Sequence, residues 1–372
     1  VAAAAFAVLA AMLAAGSPRM ATLFLVGAAC GVTLYHAAFS FAASYRRLLV
    51  HGDASGVLPQ LPMLALATVL FAPMLAAGQG LGVEAWGAVS PASVAAAIGA
   101  FLFGVGMQIG GGCGSGTLYT ASGGNVRMMV VLVAFCIGGF AATFHVESWR
   151  ALPAPEPIAL GELLGWPAAV TLQLGVLGAC YLFLARRARG RPIAFPDPPA
   201  GWRRVLQGPW PMLAGAALLA LLNAATLALA GHPWGITWAF TLWAAKAAVA
   251  LGWNPDAVAY WREGWQRDAL DAGLFDDVTS VMNVGLALGA MAAAGLAGRY
   301  APSFRVPARS LAAAVLGGLL MGYGARLAYG CNIGAYFSGI ASTSLHGWLW
   351  IAAALPGSWL GARLRPLFGL TN

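Results

Sequence analysis

The sequence predicts an all-α polytopic membrane protein, an inverted repeat with about nine transmembrane helices and four re-entrant segments. Three observations predict it. Of 372 residues, 60% are hydrophobic and only 9% charged, where a soluble chain carries about a quarter. Several apolar runs reach the roughly 18 residues needed to cross a bilayer. They are Ala/Leu-rich and solid rather than alternating, which argues against a β-barrel. Finally, one cysteine sits among glycines twice, in GGGCGSGTLY (110–119) and YGCNIGAYFSG (329–339). Glycine is costly inside a helix, so both stretches predict breaks at membrane depth.

Taken in order, run 1–15 lacks a basic start and reads as a span rather than a signal peptide. Within run 21–45 and just beyond, GVTLYHAAFSFAASYRR (31–47) is expected to enter from the inside and return. Runs 60–80, 91–110, 127–147 and 163–185 then cross. The linker 186–204 carries six Arg and marks the cytoplasmic side. Run 209–231 crosses outward, and GITWAFTLWAAKAAVALGW (235–253) dips and returns. Counting that segment as a crossing would put the acidic loop 253–271 inside and Arg299, Arg305 and Arg309 outside. Runs 276–298, 309–329 and 346–362 complete the spans. Glu84, Glu147, Glu156 and Glu162 then face outward. The N-terminus is then expected outside and the C-terminus in the cytoplasm.

The two halves resemble each other. Segment 31–41 is similar to 235–245 at an offset of 204 residues, and 104–116 to 322–334 at an offset of 218. The expected units are a first membrane repeat 1–185, a cytoplasmic linker 186–208 and a second repeat 209–372. Entering from opposite faces, the broken elements would meet near the midplane around a substrate site.

The net charge of +8 comes from twenty basic residues, all Arg except Lys246. They cluster in short loops, which is a topology signal and not a nucleic-acid one. None of the five cysteines lies in a CxxC or Cys/His pattern, so no metal or cofactor is expected. The candidate site is Cys113 with Gly112, Gly114 and Ser115, together with Cys331, Gly330 and Asn332. Glycines let a ligand approach the backbone, and N–H groups at a helix start cradle an anion. A thiol adds a weak donor and a soft atom. That suits a sulfur-bearing anion better than phosphate, which calls for Arg or Lys clamps. The plainer reading, a small buried cysteine in a helix contact, fits Cys136 and Cys180. For Cys113 and Cys331 the matched recurrence argues against it.

Other polar residues keep two readings each. Lys246 holds the anion or snorkels to the outer interface. His36 donates, accepts a proton, or is satisfied by backbone. Ser115, Thr117 and Asn332 bind ligand or cap broken helices. Arg326 contacts substrate or pairs with a loop carbonyl or acid. Trp261 and Trp265 mark an amphipathic surface helix.

GMQIGGGCGSGTLY (106–119) and GARLAYGCNIGAYFSGIASTSLHGWLW (324–350) resemble the YeeE/YedE family of bacterial inner-membrane sulfur transporters. The resemblance implies a monomeric, channel-like transporter whose cysteines pass thiosulfate by transient hydrogen bonds to sulfur. It also implies a small cytoplasmic sulfur-transfer partner of the TusA type. The family's thiosulfate transporters carry a further cysteine near the start of the second half. Here Thr237, Thr241 and Lys246 occupy that segment. The expected function is therefore uptake of a small sulfur-containing anion, thiosulfate first. The alternatives are a selenium compound, an intramembrane thiol oxidoreductase or a structural subunit. No nucleotide-binding loop implies ATP coupling, and an enzyme is not expected.

Overall fold

The structure, a computed structural model, describes residues 2–187 and 201–372; most of the expected linker, 188–200, lies outside the described residues. The first half runs α1 (Ala2–Gly16), α2 (Pro18–His36), α3 (Phe41–His51), α4 (Gln60–Ala77), α5 (Val94–Gly110), α6 (Gly114–Ser122) and α7 (Val126–Thr143). Then follow α8 (Trp166–Arg187), α9 (Met212–Ala230), α10 (Thr237–Ala250), α11 (Val278–Leu296) and α12 (Ala308–Leu327). A π-helical segment, Asn332–Phe337, leads into α13 (Ser338–Ala341), and α14 (Leu345–Leu364) closes the chain. Among the described residues, β pairing is limited to two isolated bridges.

Eight segments are long and apolar enough to cross a membrane. At 20 residues α14 has the length as well, and the apolar α1 is shorter. This is a polytopic all-α membrane protein. Its helices start where the sequence supplies a side-chain acceptor. Ser17, Ser40, Ser93, Asn125 and Asp277 each accept from a backbone N–H in the first turn. Several end on a left-handed glycine, among them Gly52, Gly78 and Gly231.

In lipid, water does not drive helices together, so close approach of backbones carries the packing. Small residues provide it. Gly27 and Gly31 of α2 face Met282 and Leu286 of α11, while Gly285 and Gly289 face Phe24 and Ala28. A Cβ on Gly31 would collide with the Leu286 backbone.

That pairing also fixes direction. Residue numbers rise together along α2 and α11, so the two run parallel. Arg19 and Asp277 flank His232 at one end, and His36 and Arg299 are neighbours at the other. Helix α2 therefore traverses the fold. Only the stretch from Ala37 through α3 turns back, less than the re-entrant segment expected from 31–47. The apolar run hid this, because a span and a dip in sequence are equally greasy.

The packing is reciprocal. Helix α12 packs on α7 as α5 packs on α14, and α11 on α2 as α4 on α9. Helix α1 meets α11 as α8 meets α4, and α5 and α12 pack on each other between the two sets. Exchanging the halves maps each pair onto another. The starts of α4 and α11, Gln60 and Val278, are 218 positions apart, as expected for this repeat. The starts of α3 and α10, Phe41 and Thr237, are 196 apart rather than 204. An eight-residue slip is close to two helical turns, which leaves an apolar face nearly in phase.

Candidate functional site

Four long helices, α2, α5, α9 and α12, each end in a tight loop followed by a short helical piece. The four loops bring Phe41, Cys113, Thr237 and Cys331 to the starts of those pieces. These residues converge. A Cβ placed on Gly114 would lie 3.0 Å from Cys331 Sγ and 3.5 Å from Thr237 Cγ2. The Phe41 backbone lies near the Cys113 thiol, and a Cβ on Gly334 would lie 3.8 Å from Gly235 Cα. Cys113 and Cys331 are 1% and 0% exposed and both thiols are free. Thr237 keeps partial access.

Both sulfurs act as N-caps. Cys113 Sγ accepts from Gly116 N–H at 3.3 Å and lies 3.5 Å from the Ser115 hydroxyl. Cys331 Sγ accepts from Ile333 N–H at 3.4 Å. A cap of this kind normally carries oxygen. Sulfur is a weaker acceptor, and its own S–H remains available to donate.

Broken backbone in an apolar interior needs partners, and the chain supplies them from neighbouring helices. His346 and Trp350 of α14 bond the carbonyls of Ala328 and Gly330 at 3.0 and 3.3 Å. Asn223 of α9 accepts from Trp234 N–H and donates to Ser338, whose hydroxyl donates to Trp234 O. Asn283 donates to Ile236 O and Gln108 to Ala42 O. Arg127 donates to the carbonyls of Ile109 and Gly110, and Arg365 to that of Gln108. These last three carbonyls are the free ones at the C-terminal end of α5, where positive charge is favourable.

The structure brings together Cys113, Gly114, Ser115, Cys331 and Asn332, with Gly112 and Gly330 in the turns. Asn332 donates to the Tyr45 hydroxyl at 3.4 Å. Two expected residues lie elsewhere. His36 sits at the end of α2, with Trp210 N–H bonded to its carbonyl at 2.8 Å and the Trp210 ring 5.2 Å from its own. Lys246 donates to the carbonyls of Leu270 and Ala272 at 2.7 and 2.5 Å. It caps the C-terminal end of the short helix Trp265–Asp271. Lys246 is nine residues along α10 from its inner tip, too far to reach the thiols. Phe41, Tyr45 and Tyr336 were not legible as site residues. The Phe41 ring lies 6.2 and 6.1 Å from those of Tyr45 and Tyr336. The signal for Phe41 was its equivalence to Thr237, which emerges only once the offset is 196.

A sequence model of the sulphur-transport family matches residues 36–360, which include all four tips. The chain belongs to the sulphur-transport family. Within the family it is 26% identical over 350 residues to the thiosulfate transporter TsuA of Spirochaeta thermophila, covering 91% of this chain and 96% of that one. It is also 31% identical to the probable transporter YedE of Escherichia coli over 163 residues, 43% of this chain and 39% of that protein. The Salmonella typhimurium YedE gives 32% over 175 residues, 45% and 40% of the two chains. The chain thus aligns with about two fifths of either YedE.

Proposed function

We propose that this protein carries a small sulfur-containing anion, most simply thiosulfate, across a bacterial inner membrane between Cys113 and Cys331. The observation that carries the reading is the mirrored pair of sulfur-capped tips in mutual contact, in a family of sulfur transporters. Each thiol accepts from backbone and keeps its hydrogen for the anion. Transfer from one S–H to the other needs no covalent bond. Thr237 lies in a segment that offers Thr241 and Lys246 but no cysteine, and its hydroxyl is a third donor beside the two thiols. Both sulfurs are buried, so passage requires the tips to part slightly.

In the favoured orientation the Arg-rich face, with Arg46, Arg127, Arg299 and the C-terminus, is cytoplasmic. Because α2 traverses, α1 begins on that same face rather than outside. The reciprocal packing of α8 and α1 supports grouping α8 with the second repeat, so the boundary falls before Trp166 instead of at 186. Thiosulfate is a dianion, and its entry opposes the membrane potential by about 2.3 kcal/mol per charge per 100 mV. Proton co-entry or rapid consumption by a TusA-type cytoplasmic acceptor would offset this. A monomer suffices, since the four tips come from one chain.

The test is growth and uptake in a strain lacking its own sulfate and thiosulfate importers, supplied with thiosulfate, sulfite, sulfate or selenite. Thiosulfate uptake is expected. Uptake of selenite alone would reassign the substrate, and a Cys113–Cys331 disulfide that cycles with substrate would favour thiol redox chemistry.

A further inference from the structure

Helix α8 is held to the bundle by a narrow stripe. Its buried residues are Ala169, Gln173 and Leu177, one per turn, and it packs mainly on α4. Beyond Leu177 the stripe gives way to Cys180 and Leu184, which are only half-buried. There α8 stands away from α3 and α14 and leaves a cavity of about 260 Å³. Its walls are Leu61 and Leu64 of α4, Tyr45 of α3, Ile351 and Leu355 of α14, and Cys180 and Phe183 of α8. An apolar cavity of this kind stays dry and takes up hydrocarbon. Phe183 lines it and is also 54% exposed, which marks an opening toward lipid.

The mouth is charged. The Arg187 guanidinium lies 4.5 Å from the Phe183 ring centre, and Arg186 is beside it in the last turn. An aromatic face holds a guanidinium without engaging its N–H donors. About 10 Å of helix separates Arg187 from Cys180. We propose that this cavity holds one acyl chain of an anionic phospholipid, its phosphate at Arg187 and its chain running past Phe183 and Cys180 to Tyr45 and Tyr336. The chain is no more apolar than the bilayer it leaves, so headgroup charge and fit select the lipid. Both tyrosines also belong to the Cys331 tip. Tyr45 accepts from Asn332 at 3.4 Å, and Tyr336 lies in the π-helical segment that follows Cys331. A chain in the cavity fills the room into which those rings could move, and so braces that tip. The site does not depend on which anion is carried.

Two measurements test it. The purified full chain is titrated with phosphatidylglycerol or phosphatidylcholine of the same chain composition and read by native mass spectrometry. One phosphatidylglycerol is expected to bind, about fivefold more tightly than phosphatidylcholine. Arg187→Gln should erase that preference. Cys180→Trp, which fills the cavity from its lipid side, should weaken binding severalfold, whereas Val133→Trp, on an exposed face of α7, should bind as wild type does. No preference in the wild type, a preference that survives Arg187→Gln, or undiminished binding to Cys180→Trp overturns the site. A wild-type dimer that Cys180→Trp splits, with no lipid mass lost, assigns this face to a second copy and overturns it too. If Cys180→Trp fails to elute as a folded protein, Cys180→Phe decides by the same criterion. Second, phosphatidylglycerol should slow amide exchange across Asn332–Phe337 by about twofold or more relative to phosphatidylcholine, in the wild type but not in Arg187→Gln. Equal exchange in the two lipids overturns the bracing of the tip.

Discussion

The loop at Cys113 turns through Gly111, with φ of +86°, and continues as the regular helix α6. The loop at Cys331 turns through Tyr329, with φ of +57°, then Gly330, and continues as a π-helix. A bulky residue at positive φ costs about 1–2 kcal/mol, and π segments collect at functional sites. His346 and Trp350 brace the second loop as Arg127 and Arg365 brace the first. Two loops with one plan therefore differ in stored strain. The relaxed one lies toward the Arg127 face, and Tyr329 of the strained one lines a cavity together with Arg326. We take the second loop to be the one that yields when an anion passes.

The largest expected effect concerns what the loops share. Cys113→Ala and Cys331→Ala should each lower thiosulfate uptake by at least about tenfold, as loss of a buried donor to a charged group would. A silent substitution at either position breaks the relay. Next comes an asymmetry at the glycines. Gly114→Ala places a methyl group 3.0 Å from Cys331 Sγ and should cut uptake about as severely. Gly334→Ala meets nothing nearer than 3.8 Å and should stay within about twofold of wild type. Equal losses would mean that the tips do not meet as described.

Bracing is tested by thermal unfolding in detergent. Asn223→Ala leaves Trp234 N–H unpaired, and should cost about 1–3 kcal/mol. Gly111→Ala, on the relaxed loop, should cost about 1–2 kcal/mol from φ alone. A larger loss at Gly111 than at Asn223 would reverse the ranking of the two loops.

The smallest effect separates the outer anchors of α3 and α10. Burial raises the Asp53 carboxyl, but the Ser55 N–H and the Arg47 guanidinium outweigh it and hold it below the usual carboxylate range. A depressed carboxylate stabilises above its unfolded pKa, and that contribution fades as pH falls through the folded value. Hydrogen exchange at the end of α3 should therefore quicken below about pH 4. The end of α10, held by Lys246 on carbonyls, should not change with it.

Much of this fold was legible. Apolar runs marked most of the spans, and the recurrence of one cysteine among glycines marked the meeting point. Hydropathy cannot tell a dipping segment from a crossing one; the contact of Gly31 with Leu286 shows that α2 crosses. Polar residues in apolar helices were ambiguous for a related reason. The sequence shows that Lys246 and Arg326 are charged, but not which carbonyls lie in reach. Only the fold shows Lys246 bonded to two carbonyls and Arg326 set against the Trp238 and Tyr260 rings. Asn223, Asn283 and Gln108 were unremarked in sequence because their role is to satisfy backbone that breaks elsewhere.

The sulfur caps have one further consequence. A thiol grips an ion weakly, and Gly112, Gly114, Ser115, Gly330 and Asn332 beside the two sulfurs are uncharged. A dianion arriving there would be held only long enough to be handed on. Such a gate favours turnover over tightness. Replacing either sulfur with a basic side chain would be expected to convert a conduit into a trap.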